Sequence, residues 1–530
     1  LFLCTEQPRE RERALSYFLR AAQVHTSIRR RSGRRTGRRT LSFPHSRKLQ
    51  QDHPANGTMT PVGQDTRTLM LACISILLCA GQSFGFGYYS HSESNQRDGT
   101  NKLLLILVDG CRWDYPDQDT AGLPGFRELA ENGVRAPYVT PIFPANSYPN
   151  WYTIMTGLYA ENHGFVQNMM YDAHFGDFFL MAPNDTASVS HWWDSAEPLW
   201  ITAEKKGLRS ALYWWDGCQV EIRGRKPTFC RKYKYVGYAW PSVNEDTRDA
   251  LLTALQLLEN NEIQLVQIYY EPVDFFGHKY GPNSIERKKA IKDIDSLLSL
   301  AQKEMASRGL SNKVNLVVLS DHGMTSTDSR GLSVINLNHI IDMSDIRYMV
   351  YYGATSMLLP CEGKLEKVYE ALKGIPGLRV YLKEEIPDHY HIKHNRLTLP
   401  LLLVASKNYY IRGLDIPGKS IPTGSSISLG SHGYDPYEVP DMRGIFFARG
   451  PGLRKNYIST PLQMVDIYGI LCELLGIQPL PNNGTKNITK GIVALPYSSS
   501  NRLAQSSKQT TIGMCAILYA FLFNHLLFQT

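Results

Sequence analysis

Lys102–Asp109 reads KLLLILVD, an unbroken apolar run that closes on a carboxylate. A run this short, bounded by polar residues, is a strand buried on both faces, and such strands belong to parallel sheets covered by helices. Leu265–Tyr270 (LVQIYY) and Val314–Leu319 (VNLVVL) have the same character. Helical patterns alternate with these runs at Asn244–Glu259, Ser284–Arg308 and Leu365–Lys373; Ser284 is a cap without the Glu that would complete a capping box. The alternation is the βαβ signature, so the expected class is α/β, a mostly parallel central sheet sandwiched between helices. In such sheets ligands gather beyond the carboxyl ends of the strands.

The flanks of this core read differently. The chain's net charge of +8 would suit a nucleic-acid partner only if it lay on the core. Residues 1–58 hold 13 Lys and Arg against 4 Asp and Glu, leaving the rest close to neutral, so no nucleic-acid partner is expected. That segment lacks apolar periodicity and is expected to be disordered, upstream of a true start at Met59 and not translated. Arg67, the apolar block Leu69–Ala80 and the small and polar residues to Ser83 make 59–83 a secretory signal peptide, with 84–100 a linker.

At the other end, within 497–530, the polar stretch Tyr497–Gln509 precedes an apolar tail, Thr511–Phe528, with no basic stop. That is the pattern of a glycolipid (GPI) anchor signal, with the attachment site among Ser498 to Asn501. Asn184, Asn483 and Asn487 head glycosylation sequons, and Cys218 and Cys230 bracket a polar loop that suits one local disulfide. The expectation is an anchored glycoprotein at the cell surface, on the extracellular face of the plasma membrane.

Each buried strand leads into acidic or acidic–histidine residues. Asp109 follows the first, Glu271, Asp274 and His278 the second, and Asp321 and His322 the third; His432 lies in a Gly-rich loop downstream. One Asp after a strand is more often a turn former and one His a satisfied structural residue. Their repetition at strand ends points to metal. Neutral imidazole suits zinc and other late divalent ions, whereas an all-oxygen set would suit magnesium or calcium. The set is too large for one catalytic ion with an open position, and two neighbouring ions recur in the hydrolysis of phosphate esters. Ser147 precedes Pro149 in what reads as a first helical turn that stops at Gly157. There the helix N-terminus favours anions, which makes Ser147 the candidate nucleophile; the alternative is an ordinary capping serine.

As an ordered set, LVDGCRWDY (107–115), TPIFPANSYPNWYTIMTG (140–157), DFFGHKYGP (274–282), SDHGM (320–324) and SHGYD (431–435) resemble the ectonucleotide pyrophosphatase/phosphodiesterases of the alkaline phosphatase superfamily, across Asn101–Pro496. The resemblance implies an alkaline phosphatase-like sheet with a smaller inserted subregion, a phosphodiesterase catalytic domain at 101–496 and two zinc ions per chain. It implies one zinc on Asp274, His278 and His432, and the other on Asp109, Ser147, Asp321 and His322. Ser147 would attack phosphorus in line to form a phospho-serine intermediate, and Asn168 would donate to a phosphate oxygen.

Serine rather than threonine at 147 points to the family's choline-specific glycerophosphodiester phosphodiesterase branch, its sixth member. So do GCQVEIRGRKPTFC (217–230), SAEPLWIT (195–202) and LPNNG (480–484). That likeness implies glycerophosphocholine and lysophosphatidylcholine as substrates and phosphocholine as product, with Asp274 and His432 also touching substrate. A quaternary ammonium calls for aromatic walls, for which Tyr269 and Tyr213-Trp214-Trp215 are the candidates. Cys111 stands where the family usually has Phe. Residues 473–514 contain no Cys to match the family's chain-linking cysteine, so a homodimer is expected to be non-covalent. The competing readings are a nucleotide or sphingomyelin phosphodiesterase on the same fold, or a catalytically silent surface protein; all seven ligand positions are filled, which disfavours the last.

Overall fold

In the computed structural model, which describes residues 101–118, 122–234, 240–328, 330–413 and 427–494, Leu103 to Val108 are completely buried. The segments 1–58, 59–83 and 84–100 and the tail 497–530 fall outside the described residues, so the expectations for them are not addressed there. In chain order the strands used below are β1 (Lys102–Val108), β2 (Val134–Arg135), β3 (Ser210–Tyr213), β4 (Phe229–Arg231), β5 (Leu265–Tyr270) and β6 (Val314–Leu319). They continue with β7 (Ile346–Val350), β8 (Thr355–Pro360), β9 (Leu378–Leu382), β10 (Leu401–Ala405), β11 (Phe446–Arg449) and β12 (Tyr457–Ile458). The helices are α1 (Pro124–Glu131), α2 (Ser147–Thr156), α3 (Trp240–Glu259), α4 (Pro272–Tyr280), α5 (Ile285–Ser307), α6 (Leu365–Leu372) and α7 (Met464–Leu475).

The main sheet has eight strands in the order β12-β2-β11-β6-β1-β5-β3-β4. β1 lies at its centre, parallel to both β5 and β6, and β3 and β4 continue the parallel run. β11 enters antiparallel to β6, so the sheet is mixed towards that edge.

Alternate residues of β1 serve two layers. Leu103, Leu105 and Leu107 pack with residues of α2 and α7 such as Ile154 and Leu471, while Leu104, Ile106 and Val108 pack with α3 and α5 through Leu255 and Ile294. Covering on both faces is why the run carries no polar alternation. Each of its large apolar side chains gains about 1.5–3 kcal/mol from burial, which holds the strand end in one place. Ser284 caps α5 as the sequence suggests, its side chain accepting from the Arg287 amide.

The inserted subregion is a four-stranded antiparallel sheet, β7-β8-β10-β9, with α6 packed on it through Val368, Tyr369 and Leu372. No helix among the described residues is long and apolar enough to cross a membrane.

Candidate active site

Strand register brings the acidic residues together. Leu107 of β1 stands opposite Tyr269 of β5 and Leu319 of β6, so Asp109, Glu271 and Asp321 leave the sheet at one level. Gly110 turns the chain at φ 64°, and a Cβ there would lie 2.7 Å from Asp274 Oδ1; only glycine allows α4 this close. Pro272 starts α4, which places Asp274 in its first turn and His278 one turn on, on the same face. The Gly430–Ser431 strand pairs with Thr325–Ser326, just past His322, and delivers His432.

Ser147 is the first residue of α2, behind the cap residue Asn146, and Gly157 closes the helix in the left-handed conformation. It is therefore not the capping serine. Its Oγ lies 3.2 Å from His322 Nε2. His322 Nε2 is also 3.4 Å from Asp109 Oδ1 and 3.5 Å from Asp321 Oδ2. On the other side, Asp274 lies 3.4 Å from His278 Nε2 and 3.8 Å from His432 Nε2, and the His322 and His432 rings stack at 3.7 Å.

All three imidazoles are oriented in the same way. Nδ1 of His278, His322 and His432 donates to the carbonyls of Gly430, Gly323 and Ala145 respectively, because a carbonyl can only accept. Each Nε2 is thereby left to face the carboxylates, the arrangement that prepares a histidine to hold a metal. Burial, then the charges of Asp321 and Asp274, pushes the Asp109 carboxyl well above its usual range. Burial and the neighbouring His322 and His278 push His432 well below its own, so its ring is neutral. Asp109 Oδ1 and Asp274 Oδ1 are buried without a hydrogen-bond partner among the described residues.

Crowded carboxylates, inward-facing imidazole nitrogens and orphaned oxygens fit bound cations. Ligand atoms converge within 4.8 Å in two sets, Asp109/Asp321/His322 and Asp274/His322/His432. His322 belongs to both, whereas the resemblance assigned it to one, and His278 joins the second through Asp274.

Asn168 is buried beside the first turn of α2, where its Oδ1 accepts from the Tyr148 amide at 3.0 Å. It thus satisfies a helix N–H that Asn146 leaves uncapped. Tyr269 differs from expectation: its hydroxyl donates to Asp109 Oδ2 at 2.6 Å, so it orients a candidate ligand besides presenting a ring. Trp151, which the sequence reading passed over, does the same for Asp321, its Nε1 donating to Oδ2 at 2.6 Å. One turn after Ser147, it faces the site by helical periodicity, and that spacing was the available signal.

The Trp151 and Tyr269 rings meet edge to face at 4.9 Å, and Tyr233 donates to the Glu271 carboxylate beside them. Trp214 is spoken for, with the Arg231 guanidinium 5.5 Å from its ring. The Cys218–Cys230 disulfide forms as its spacing suggests, and Cys111 is a buried free thiol.

A buried Asp/His cluster with a serine at a helix N-terminus, at the carboxyl edge of a parallel sheet, defines a phosphoester hydrolase. The Type I phosphodiesterase / nucleotide pyrophosphatase family matches residues 103–435. Ectonucleotide pyrophosphatase/phosphodiesterase family member 7 of Homo sapiens is 36% identical over 422 residues, 78% of this chain and 87% of that protein. The bis(5'-adenosyl)-triphosphatase of Xenopus laevis is 35% identical over 405 residues, 76% of this chain and 84% of its own.

The structure of murine family member 5 superposes with a TM-score of 0.66 at 35% identity, covering 74% of this chain and 100% of that one. An inactive variant of the murine protein is in complex with AMP. This chain belongs to the ectonucleotide pyrophosphatase/phosphodiesterase family. It is a phosphodiester hydrolase of a metal-dependent family.

Proposed function

We propose that the chain is a zinc-dependent choline-specific glycerophosphodiester phosphodiesterase that releases phosphocholine from glycerophosphocholine and lysophosphatidylcholine. The observation that carries the choline reading is the pairing of a negative charge with aromatic faces at the phosphate site. The Glu271 carboxylate, Tyr233, Tyr269 and Trp151 adjoin Asp109 and Asp321. A quaternary ammonium is attracted both by ring faces and by a carboxylate, about 0.5–2 kcal/mol for each good cation–π contact. Serine at 147 and the loop closed by Cys218–Cys230 favour the same branch of the family.

Asp109, Ser147, Asp321 and His322 would hold one zinc and Asp274, His278 and His432 the other, with His322 within reach of both. Bound there, zinc supplies charge neutralisation for the phosphate oxygens and acidifies the serine hydroxyl. Ser147 Oγ attacks phosphorus, and the bond from phosphorus to the glycerol oxygen breaks. Glycerol, or the acylglycerol, leaves with a proton, and phosphocholine remains esterified to Ser147. Asn168 has its oxygen committed to the Tyr148 amide and its NH2 beside the Tyr351 hydroxyl, so the second N–H of that NH2 is what it offers to a phosphoryl oxygen as charge develops. Water then forms the new bond to phosphorus, Ser147 Oγ departs, and phosphocholine is released.

The disulfide suits an oxidising compartment, and with the leader and tail patterns it supports an enzyme anchored by glycolipid on the outer face of the plasma membrane. A panel of glycerophosphocholine, a nucleoside triphosphate and sphingomyelin, with and without a zinc chelator, tests the reading. It predicts chelator-sensitive preference for glycerophosphocholine; preference for either other substrate would overturn the choline specificity.

A further inference from the structure

Ser147 is held from both sides in sequence by one buried pair of amides. Gln167 is 1% exposed, and its Oε1 accepts from Asn146 Nδ2 and, at 2.9 Å, from the amide of Asn168. Asn168 Oδ1 in turn accepts from the amide of Tyr148 at 3.0 Å. Asn146 and Tyr148 flank Ser147, so the circuit Asn146–Gln167–Asn168–Tyr148 closes around it. At its far end Gln167 Nε2 donates to Thr355 Oγ1 at 3.0 Å, on strand β8 of the inserted sheet.

The orientations are fixed by chemistry. Backbone amides only donate, so Gln167 Oε1 and Asn168 Oδ1 are the acceptors, and the Asn168 NH2 is turned to the other side, where it meets the Tyr351 hydroxyl and keeps a second N–H. We infer that Gln167 is a positioning residue for the reaction, setting the Asn168 NH2 and the first turn of the nucleophile helix and tying both to the inserted sheet. The inference rests on the reading that Asn168 serves a phosphoryl oxygen. Methionine would fill the same volume without the cost of desolvating an amide; what glutamine adds is direction. No periodicity or motif marks Gln167 in the sequence, since its partners lie 21 residues before it and 188 after.

A double-mutant cycle with a nitrophenyl ester of phosphocholine at saturating zinc tests this, with Tm measured for every variant. Asn168→Ala alone tests the underlying reading, and wild-type kcat in that variant would sink it independently. Given a loss there, Gln167→Met should lower kcat about tenfold with KM within about twofold, and add almost nothing in the Asn168→Ala background. Gln167→Glu keeps an acceptor oxygen for both donors and should recover most of the loss. Multiplicative effects in the double variant, or a Gln167→Met enzyme with wild-type kcat, would overturn the inference. If Gln167→Met does not fold, Thr355→Val decides: a fall in kcat at unchanged Tm supports it, and unchanged kcat overturns it.

Discussion

Tyr269→Phe separates the hydroxyl contact made by this side chain from the choline-facing role proposed for its ring. The phenol donates to Asp109 Oδ2 at 2.6 Å, while Asp109 Oδ1 has no hydrogen-bond partner among the described residues. Removing the hydroxyl leaves the ring but takes away a bond to a buried carboxylate, worth about 1.5–3 kcal/mol. Loss of an outer partner of a metal ligand ordinarily costs about 10–100-fold in metal affinity, or about 1.4–2.7 kcal/mol, which agrees. Burial and neighbouring carboxylates already raise the Asp109 pKa, and the Tyr269 hydrogen bond is what opposes them. The variant's carboxylate is therefore protonated at higher pH than the wild type's, and its zinc deficit should widen as pH falls.

The assay is a zinc titration of chelator-stripped enzyme against a chromophoric competitor, at about pH 6 and about pH 8. At saturating zinc, kcat should return towards wild type, and KM for a choline ester should hold because the ring remains. Zinc affinity within about twofold of wild type at both pH values would refute the reasoning.

Ser147→Ala should abolish phosphodiester hydrolysis, leaving zinc content by elemental analysis largely intact, since the candidate Asp and His ligands remain. Gly110→Ala should lose both zinc and activity, because its Cβ would lie 2.7 Å from Asp274 Oδ1 and 2.9 Å from the Asp274 Cα, at a φ of 64°. Calorimetry should show about 1–3 kcal/mol of destabilisation from that clash and strain. Burial pushes the Glu271 carboxyl up to about 7, against the opposing hydrogen bond from Tyr233. Below that pH it is neutral, so KM for a choline ester should rise as pH falls through about 7, and Glu271→Gln should flatten the profile. The stability contribution of a raised carboxyl is present in full below its unfolded pKa and is lost as pH rises through the folded value, so Glu271→Gln should also gain in Tm at alkaline pH.

The central strand was legible because burial on both faces leaves no polar residue in it, and the residues that follow such strands had to meet at one edge. Asp109, Asp274 and Asp321 were readable on that ground, and His278 by its place one turn beyond Asp274. The antiparallel entry of β11 was not, since strand direction within a buried sheet leaves no mark on the side-chain pattern. Nor was the hydroxyl contact of Tyr269: the sequence shows an aromatic next to a site, but not which of its ends is used. Gln167 and Thr355 escaped for a different reason, because a hydrogen bond across 188 residues is set by tertiary packing alone.

The most direct test of the account is hydrolysis of glycerophosphocholine in 18O-water with the products identified by mass spectrometry. Attack of Ser147 on phosphorus and release by water predict phosphocholine carrying the label on its phosphate and unlabelled glycerol. Choline with glycerol phosphate, or label in the glycerol, would contradict it.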